Sequence, residues 1–431
     1  MCKHYCTFFM LFFAFSLMGQ QEKTYIKAGL FYDSEQNKLL ENKLIVVENG
    51  IITDISDDNG NNTTGHQWID LSAYTVLPGL IDAHTHVLFS QAADADFTEH
   101  SMAMLTTEND ALRVLRGSKR AKSYLDVGIT SIKDLGNSGL FLDVALRDAI
   151  NEGTVIGPRI FASGPILSAP GGQIYGVVPK HQDIIAEEYR IIRGVEDAKL
   201  AVQEHVNQGV DLIKICADNF PNKTVLSLEE MQAIVHTAHA YGLKVTAHSV
   251  TDASARQAIN AGVDGIEHGF NISDSTLKMM AAKNIYMVPT ENSMDYMQRF
   301  SKLAGYDEEG GQWILRYRSA MSERLQTALE HGVTVVAGSD NYTKMDTSRG
   351  ASSRDMLKAY YESGMSPLNI LRSATFLSAQ QLGKEDELGV LKEGAKADII
   401  AIKGDVRKQF YESMEHVVFV MKDGQVFKSV E

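Results

Sequence analysis

From Val76 to Asp340 the chain repeats one pattern: a short apolar run ending in polar residues, then a stretch with helical periodicity. Apolar runs of this length read as buried strands, and helices between successive strands force those strands to lie parallel. The candidate strands are Val76 to His86, Ile129 to Leu135, Arg159 to Gly164, Leu212 to Ala217, Lys244 to His248, Gly265 to His268, Tyr286 to Thr290 and Thr334 to Asp340, eight in all. Leu228 to Ala240, Asp252 to Ala261 and Trp313 to His331 read as helices between them. Eight strand–helix units that close on themselves predict an α/β fold, a (β/α)8 TIM barrel, whose chemistry stands at the C-terminal strand ends. Polar residues crowd those ends.

The two ends of the chain read differently. Thr24 to Ile55 is a set of short apolar runs punctuated by Asp33-Ser34, Glu41-Asn42 and Asn49-Gly50, the pattern of strands and tight hairpins, and Asp57 to Gly65 is a polar loop. Asp398 to Gly404 and Val417 to Phe427 repeat the style. Together they predict a small β-sandwich built from residues 21–77 and 387–431, around a barrel of residues 78–386.

Residues 1–20 place an apolar core, Thr7 to Met18, behind Lys3, with Ser16 and Gly19 near its end, which reads as a secretory signal. That core is shorter than the roughly 20 residues needed to span a bilayer, so the expectation is export to a bacterial periplasm or the medium with no permanent membrane anchor. Cleavage would remove Cys2 and Cys6 and leave Cys216 alone, so no intrachain disulfide is expected. The apolar core, or a metal, must then hold the fold. A hydrophobic content of 44% is ample for such a core. With 41 Lys and Arg against 55 Asp and Glu, the net charge of −14 argues against a nucleic-acid partner, which needs clustered cations. Assembly into a homo-oligomer is left open.

The polar strand ends carry the candidate chemistry. His84 and His86 stand two apart in Asp82-Ala-His-Thr-His, so strand alternation sends both rings to one side, where they can share a metal ion. Lys214 is a lone amine in Leu212-Ile-Lys-Ile-Cys216; it either snorkels or pairs with a carboxylate, or, made less basic by burial, reacts with carbon dioxide to give a carbamate that bridges two metals. His248 and His268 close successive strands twenty residues apart, as ligands or as satisfied core groups. Asp340 ends Val335-Val-Ala-Gly-Ser-Asp as a metal ligand and base, or as a helix cap.

Taken jointly, these residues resemble the amidohydrolase superfamily, in its imidazolonepropionase-like and metal-dependent prolidase-like branch. The resemblance rests on Leu77-Pro-Gly-Leu-Ile-Asp-Ala-His-Thr-His86, on Lys214, His248, His268 and Asp340 in order, and on the closing Glu387-Leu-Gly389 and Gly394-Ala-Lys-Ala-Asp398. It implies two divalent metal ions, with His84, His86 and Asp340 on one, His248 and His268 on the other, and carboxylated Lys214 bridging both. A bridging hydroxide is then the nucleophile and Asp340 its base. Zinc suits this donor set first; manganese, cobalt or iron also fit. Pro170-Gly-Gly-Gln173-Ile-Tyr175 stands where peptidase-like members often show Gly-Gly-His-Gly, which makes Gln173 and Tyr175 candidate substrate contacts. Arg349-Gly350 replaces a common His-Gly, and Arg349 either clamps a substrate carboxylate or is a solvated loop residue.

The resulting expectation is an exported hydrolase of an amide C–N bond, in a peptide, a dipeptide such as Xaa-Pro, or a cyclic amide. Hydrolysis of a lactone, carbamate or phosphoester is the second reading. An inactive metal-bound scaffold is the third, and the intact ligand set with its base argues against it.

Overall fold

In the computed structural model, residues 23–60, 66–306 and 308–430 are described, without the side chains of residues 308–310. The expected secretory segment lies outside the described residues. The two chain ends join in one hydrogen-bonded order of seven strands: Gln425–Lys428, Val417–Lys422, Ile399–Lys403, Gln67–Pro78, Thr24–Asp33, Lys38–Glu48 and Ile51–Asp57. The union is made where Ile400 pairs antiparallel with Leu77, while the same Gln67–Pro78 strand runs parallel to Thr24–Asp33 on its other edge. One inward face, with Ile26, Phe31, Ile45, Leu71, Ile399 and Phe419, forms a core separate from that of the central region. Asn49-Gly50 is a hairpin turn as expected, whereas Glu41-Asn42 is not a turn: Asn42 takes a left-handed φ of 51° inside a continuous strand.

In the centre, Leu80–Thr85 runs parallel to Ile129–Asp134, and that strand to Arg159–Ala162. Asp211 N donates to Ala162 O at 2.8 Å, bringing in Leu212–Cys216, which continues in parallel through Lys244–Thr251 and Gly265–Asn271 to Tyr286–Val288. The eighth expected strand, Thr334 to Asp340, is not a regular strand among the described residues. Its segment alternates single bonds to both sides, Val336 N to Met287 O at 2.9 Å and Ala83 N to Ala337 O at 2.8 Å, so the hydrogen bonds return to the strand where they began. Close contact explains the irregularity: a Cβ on Gly338 would lie 2.4 Å from Val288 Cγ1 and 2.9 Å from the His84 backbone nitrogen. The expected run Val76 to His86 is likewise divided between the two regions at Gly79, where a Cβ would stand 2.1 Å from Thr130 Oγ1.

The helices follow from local signals. Leu228–Ala240 starts on Ser227, whose hydroxyl and the Glu230 carboxylate cap each other's backbone. Asp252–Ala261 starts on the Thr251 hydroxyl and stops at Gly262 with φ +92°. The expected helix Trp313 to His331 lies, as far as Glu330, in one longer helix, Glu308–Glu330, and His331 follows as a turn. An unexpected short pair, Ile166–Ser168 with Tyr189–Ile191, joins beside Ile215 and frames the loop that carries Gln173. Among the described residues no helix is long and apolar enough to cross a membrane.

Candidate active site

The parallel arrangement delivers the polar strand ends to one cavity of about 850 Å³, lined by His84, His86, Lys214, His248, His268 and Asp340 among others. His84 and His86 rings lie 5.3 Å apart, His84 and His268 5.0 Å, and His248 and His268 4.5 Å. Asp340 Oδ1 sits 3.1 Å from His86 Nε2 and 3.6 Å from His84 Nε2, and its Oδ2 3.7 Å from His268 Nδ1. One donor atom each from His84, His268 and Asp340 falls within a 4.8 Å span. Two of these side chains reach the cavity through left-handed backbone: His268 has φ 68° and Asp340 φ 48°, joined by Thr290 at 53°. For a β-branched residue such as Thr290 this conformation is costly, and it is held by its hydroxyl contact to His268 Nδ1 at 2.9 Å.

Each imidazole is oriented from behind. Glu267 Oε2 accepts from His84 Nδ1 at 2.7 Å, and Gly136 O from His86 Nδ1 at 2.8 Å, which turns both Nε2 lone pairs toward the cavity. The Gln173 amide nitrogen lies 3.1 Å from His248 Nε2 and donates to it, while its oxygen accepts from Tyr189 Oη at 3.2 Å. That puts the ring proton on His248 Nδ1 and occupies the Nε2 lone pair, which Gln173 must release for the ring to bind a cation. Glu267 is wholly buried and also receives Lys133 Nζ at 3.0 Å and Thr246 Oγ1 at 2.5 Å. Behind His84, Asp82 accepts from Ser339 N and Ser339 Oγ, tying the two ends of the ring together.

Burial dominates the proton affinities. It drives His84 and His268 well below the ordinary histidine value and His248 down to about 3, with the Lys214 charge adding to the effect for His248. These rings are neutral at physiological pH, the state in which imidazole binds a cation. His86 moves the other way: burial alone would lower it, but the hydrogen bond and charge of Asp340 more than offset that. Burial lowers Lys214, although Glu267 opposes it, and raises Asp82 to about 7. A less basic amine carries more of the neutral form that carbon dioxide can add to. Imidazole nitrogens, a carboxylate and such an amine around one cavity are the donor chemistry that divalent cations take.

Three candidate substrate contacts separate here. Gln173 lines the cavity. Tyr175 does not; it is 61% exposed, and only its backbone amide approaches the lining, donating to Thr98 Oγ1. Arg349 is buried and is neither a substrate clamp nor a solvated loop residue. Its terminal nitrogens donate to the carbonyls of His86, Phe89 and Tyr342, tying together the loops that follow the first and last strand segments. Sequence reasoning missed Glu267 and Lys133, although a carboxylate within the buried run Gly265-Ile-Glu-His was the available signal.

The profile of the amidohydrolase family matches residues 75–428. The chain belongs to the amidohydrolase family. As an amidohydrolase it is 28% identical over 379 residues to the ochratoxinase of Aspergillus niger, covering 82% of this chain and 75% of that one. Its fold superimposes on a Xaa-Pro dipeptidase with bound methionine at TM-score 0.81, with 27% identity over 95% of this chain and all of the other. It also superimposes on a prolidase complexed with N-methylphosphonate-L-proline at TM-score 0.82, with 28% identity over 94% and 100%. Family and relatives together make this chain a hydrolase of amide-type bonds.

Proposed function

We propose an exported, metal-dependent hydrolase of an amide C–N bond, in which His84, His86 and Asp340 hold one divalent cation, His248 and His268 a second, and carboxylated Lys214 lies between them. The observation that carries this reading is the convergence of these six side chains on one cavity from five segments of the parallel ring, His84 and His86 sharing the first. Zinc is the first choice on donor chemistry. The closed hydrogen-bond ring and the likeness to the solved relatives support a (β/α)8 barrel for the centre, flanked by a β-sandwich from the two ends. Export rests on the apolar segment behind Lys3.

Bound there, the cations would supply Lewis acidity and lower the proton affinity of water. The chain's own residues do the rest. Asp340 is the most exposed of the carboxylates in the cluster, so its free oxygen can take the proton of the attacking water and return it to the leaving nitrogen. Glu267 and the Gly136 carbonyl fix the tautomers of His84 and His86. Gln173, held by Tyr189, positions the His248 ring and would give up its Nε2 to a bound cation. Phe89, Phe97 and Tyr342 close one wall of the cavity against water.

A panel of Xaa-Pro dipeptides, N-acylated amides and cyclic amides, run beside lactones, carbamates and phosphoesters, tests the reading. Metal-loaded protein should cleave one or more amides and lose that activity on chelation. Turnover confined to the esters would replace the amide reading with the second one.

A further inference from the structure

An aromatic ladder runs from the site to the surface. The His268 ring lies 5.2 Å from Phe270, Phe270 meets Tyr317 at 6.1 Å, and Tyr317 stacks on Trp313 at 5.3 Å and 22°. Trp313 is 47% exposed and Phe220, also on the cavity lining, 68%. Large exposed aromatics at the mouth of a concave site are a binding surface for an apolar group. At about 850 Å³ the cavity is at the roomy end for small-molecule sites, with space beyond the reacting amide for an extended group.

The charges exclude what the ladder does not. Among the described residues lining the cavity, Lys214 is the only ammonium and no guanidinium is present. Three arginines pack directly behind the wall, and all are engaged there. Arg349 is bound to the carbonyls of His86, Phe89 and Tyr342. Arg324 donates to His268 O at 2.6 Å and to Pro289 O and Glu291. Arg113 donates to Asn137 O at 2.6 Å and pairs with Glu188 at 2.6 Å. At the rim stands a carboxylate, Asp96, whose Oδ1 caps the Glu99 amide. A substrate carboxylate entering this cavity would lose water and meet no cation except the groups that must hold the scissile amide.

We propose that the substrate is an amide with no free carboxylate on its amine side and with an extended aromatic or aliphatic group that lies along Phe270, Tyr317 and Trp313: an arylamide, an aralkylamide or a peptide blocked at its C-terminus. This rests on the amide-hydrolase reading of the site and narrows it, placing free dipeptides below neutral amides of similar size.

N-benzoylphenethylamine and N-benzoylphenylalanine differ only by the carboxylate and make the test. On the metal-loaded enzyme the neutral compound should have kcat/KM about tenfold or more above the acid. The dissociation constants of both for metal-loaded Asp340→Asn, by calorimetry, should fall in the same order. Ala320→Arg, on an exposed helix position that lines the cavity, supplies the missing cation and should reduce the preference. Trp313→Ala should weaken binding of the neutral compound. Equal or better turnover and binding of the acid by the unaltered cavity overturns the proposal. Absence of turnover on every amide in the panel overturns the amide reading instead, and the ratio of dissociation constants still decides the carboxylate question.

Discussion

Glu267→Gln separates the two tasks that one buried carboxylate performs. Glu267 Oε2 holds His84 Nδ1 at 2.7 Å and Oε1 neutralises Lys133 at 3.0 Å, with all three side chains buried. Gln keeps an oxygen for the His84 proton but removes the charge. Breaking a buried pair by removing one partner costs about 3–5 kcal/mol, and the low end applies here because burial already lowers Lys133, which can shed its proton. The metal-free variant should therefore lose about 3 kcal/mol in urea unfolding. Its metal affinity should fall by about 10-fold, the small end of the range for losing a carboxylate behind a ligating histidine. Adding Lys133→Met removes the stranded ammonium, so stability should return to within about 1–2 kcal/mol of the parent while metal affinity stays low. Chelator competition and unfolding of the metal-free proteins give the two numbers independently. Wild-type metal affinity in Glu267→Gln, or recovery of affinity along with stability in the double variant, would refute the division of labour.

Lys214→Ala should lose metal and activity together, with partial recovery in short carboxylic acids that occupy the vacated bridge; full metal content and rate in this variant would end the carbamate assignment. Asp340→Asn should stay folded, retain much of its metal and lose about 10² to 10⁴ in kcat on the best amide, whereas near-normal kcat in a metal-replete sample would leave Asp340 a ligand only. In metal-free protein His248 should contribute a loss of stability as pH falls below about 6.5, since with a folded value near 3 it stays neutral in the native state while the unfolded chain takes up a proton. The expected slope is about 1.4 kcal/mol per pH unit for each such histidine, with His84 and His268 shifted in the same direction. Asp82, raised to about 7, gives a slope of opposite sign over the same range. The histidine contribution is therefore read as the difference in urea stability between metal-free parent and His248→Gln from pH 7 to 4, and a difference that does not change with pH contradicts the neutral-imidazole assignment.

The residues of the site were legible because each interrupts or ends an apolar run, Lys214 within Leu212–Cys216 and the histidines and Asp340 at the ends of theirs. Their orientation was not. Alternation along a strand accounts for Glu267 facing His84, but His268 follows it directly and reaches the same cavity only because its backbone turns left-handed at φ 68°, a choice imposed by neighbouring segments. Arg349 illustrates the same limit: its role depends on two loops far apart in the chain converging on its guanidinium. In the fold, Leu228–Ala240 and Asp252–Ala261 were visible because their caps are local, Ser227 with Glu230 and Thr251 with Gly262. The segment 334–340 reads as a strand yet pairs by single bonds, because Gly338 is pressed against Val288 and His84 from outside its own sequence.

The central claim is that two metal ions, held by six residues of this chain, make it an amide hydrolase. Titrating zinc into metal-free protein while recording both bound metal and turnover of the best amide tests it most directly. The account predicts no turnover without metal and a rise that levels off at about two ions per chain, more than one tetrahedral ion's ligand set requires. Undiminished turnover in verified metal-free protein, or a plateau at one ion, would contradict it.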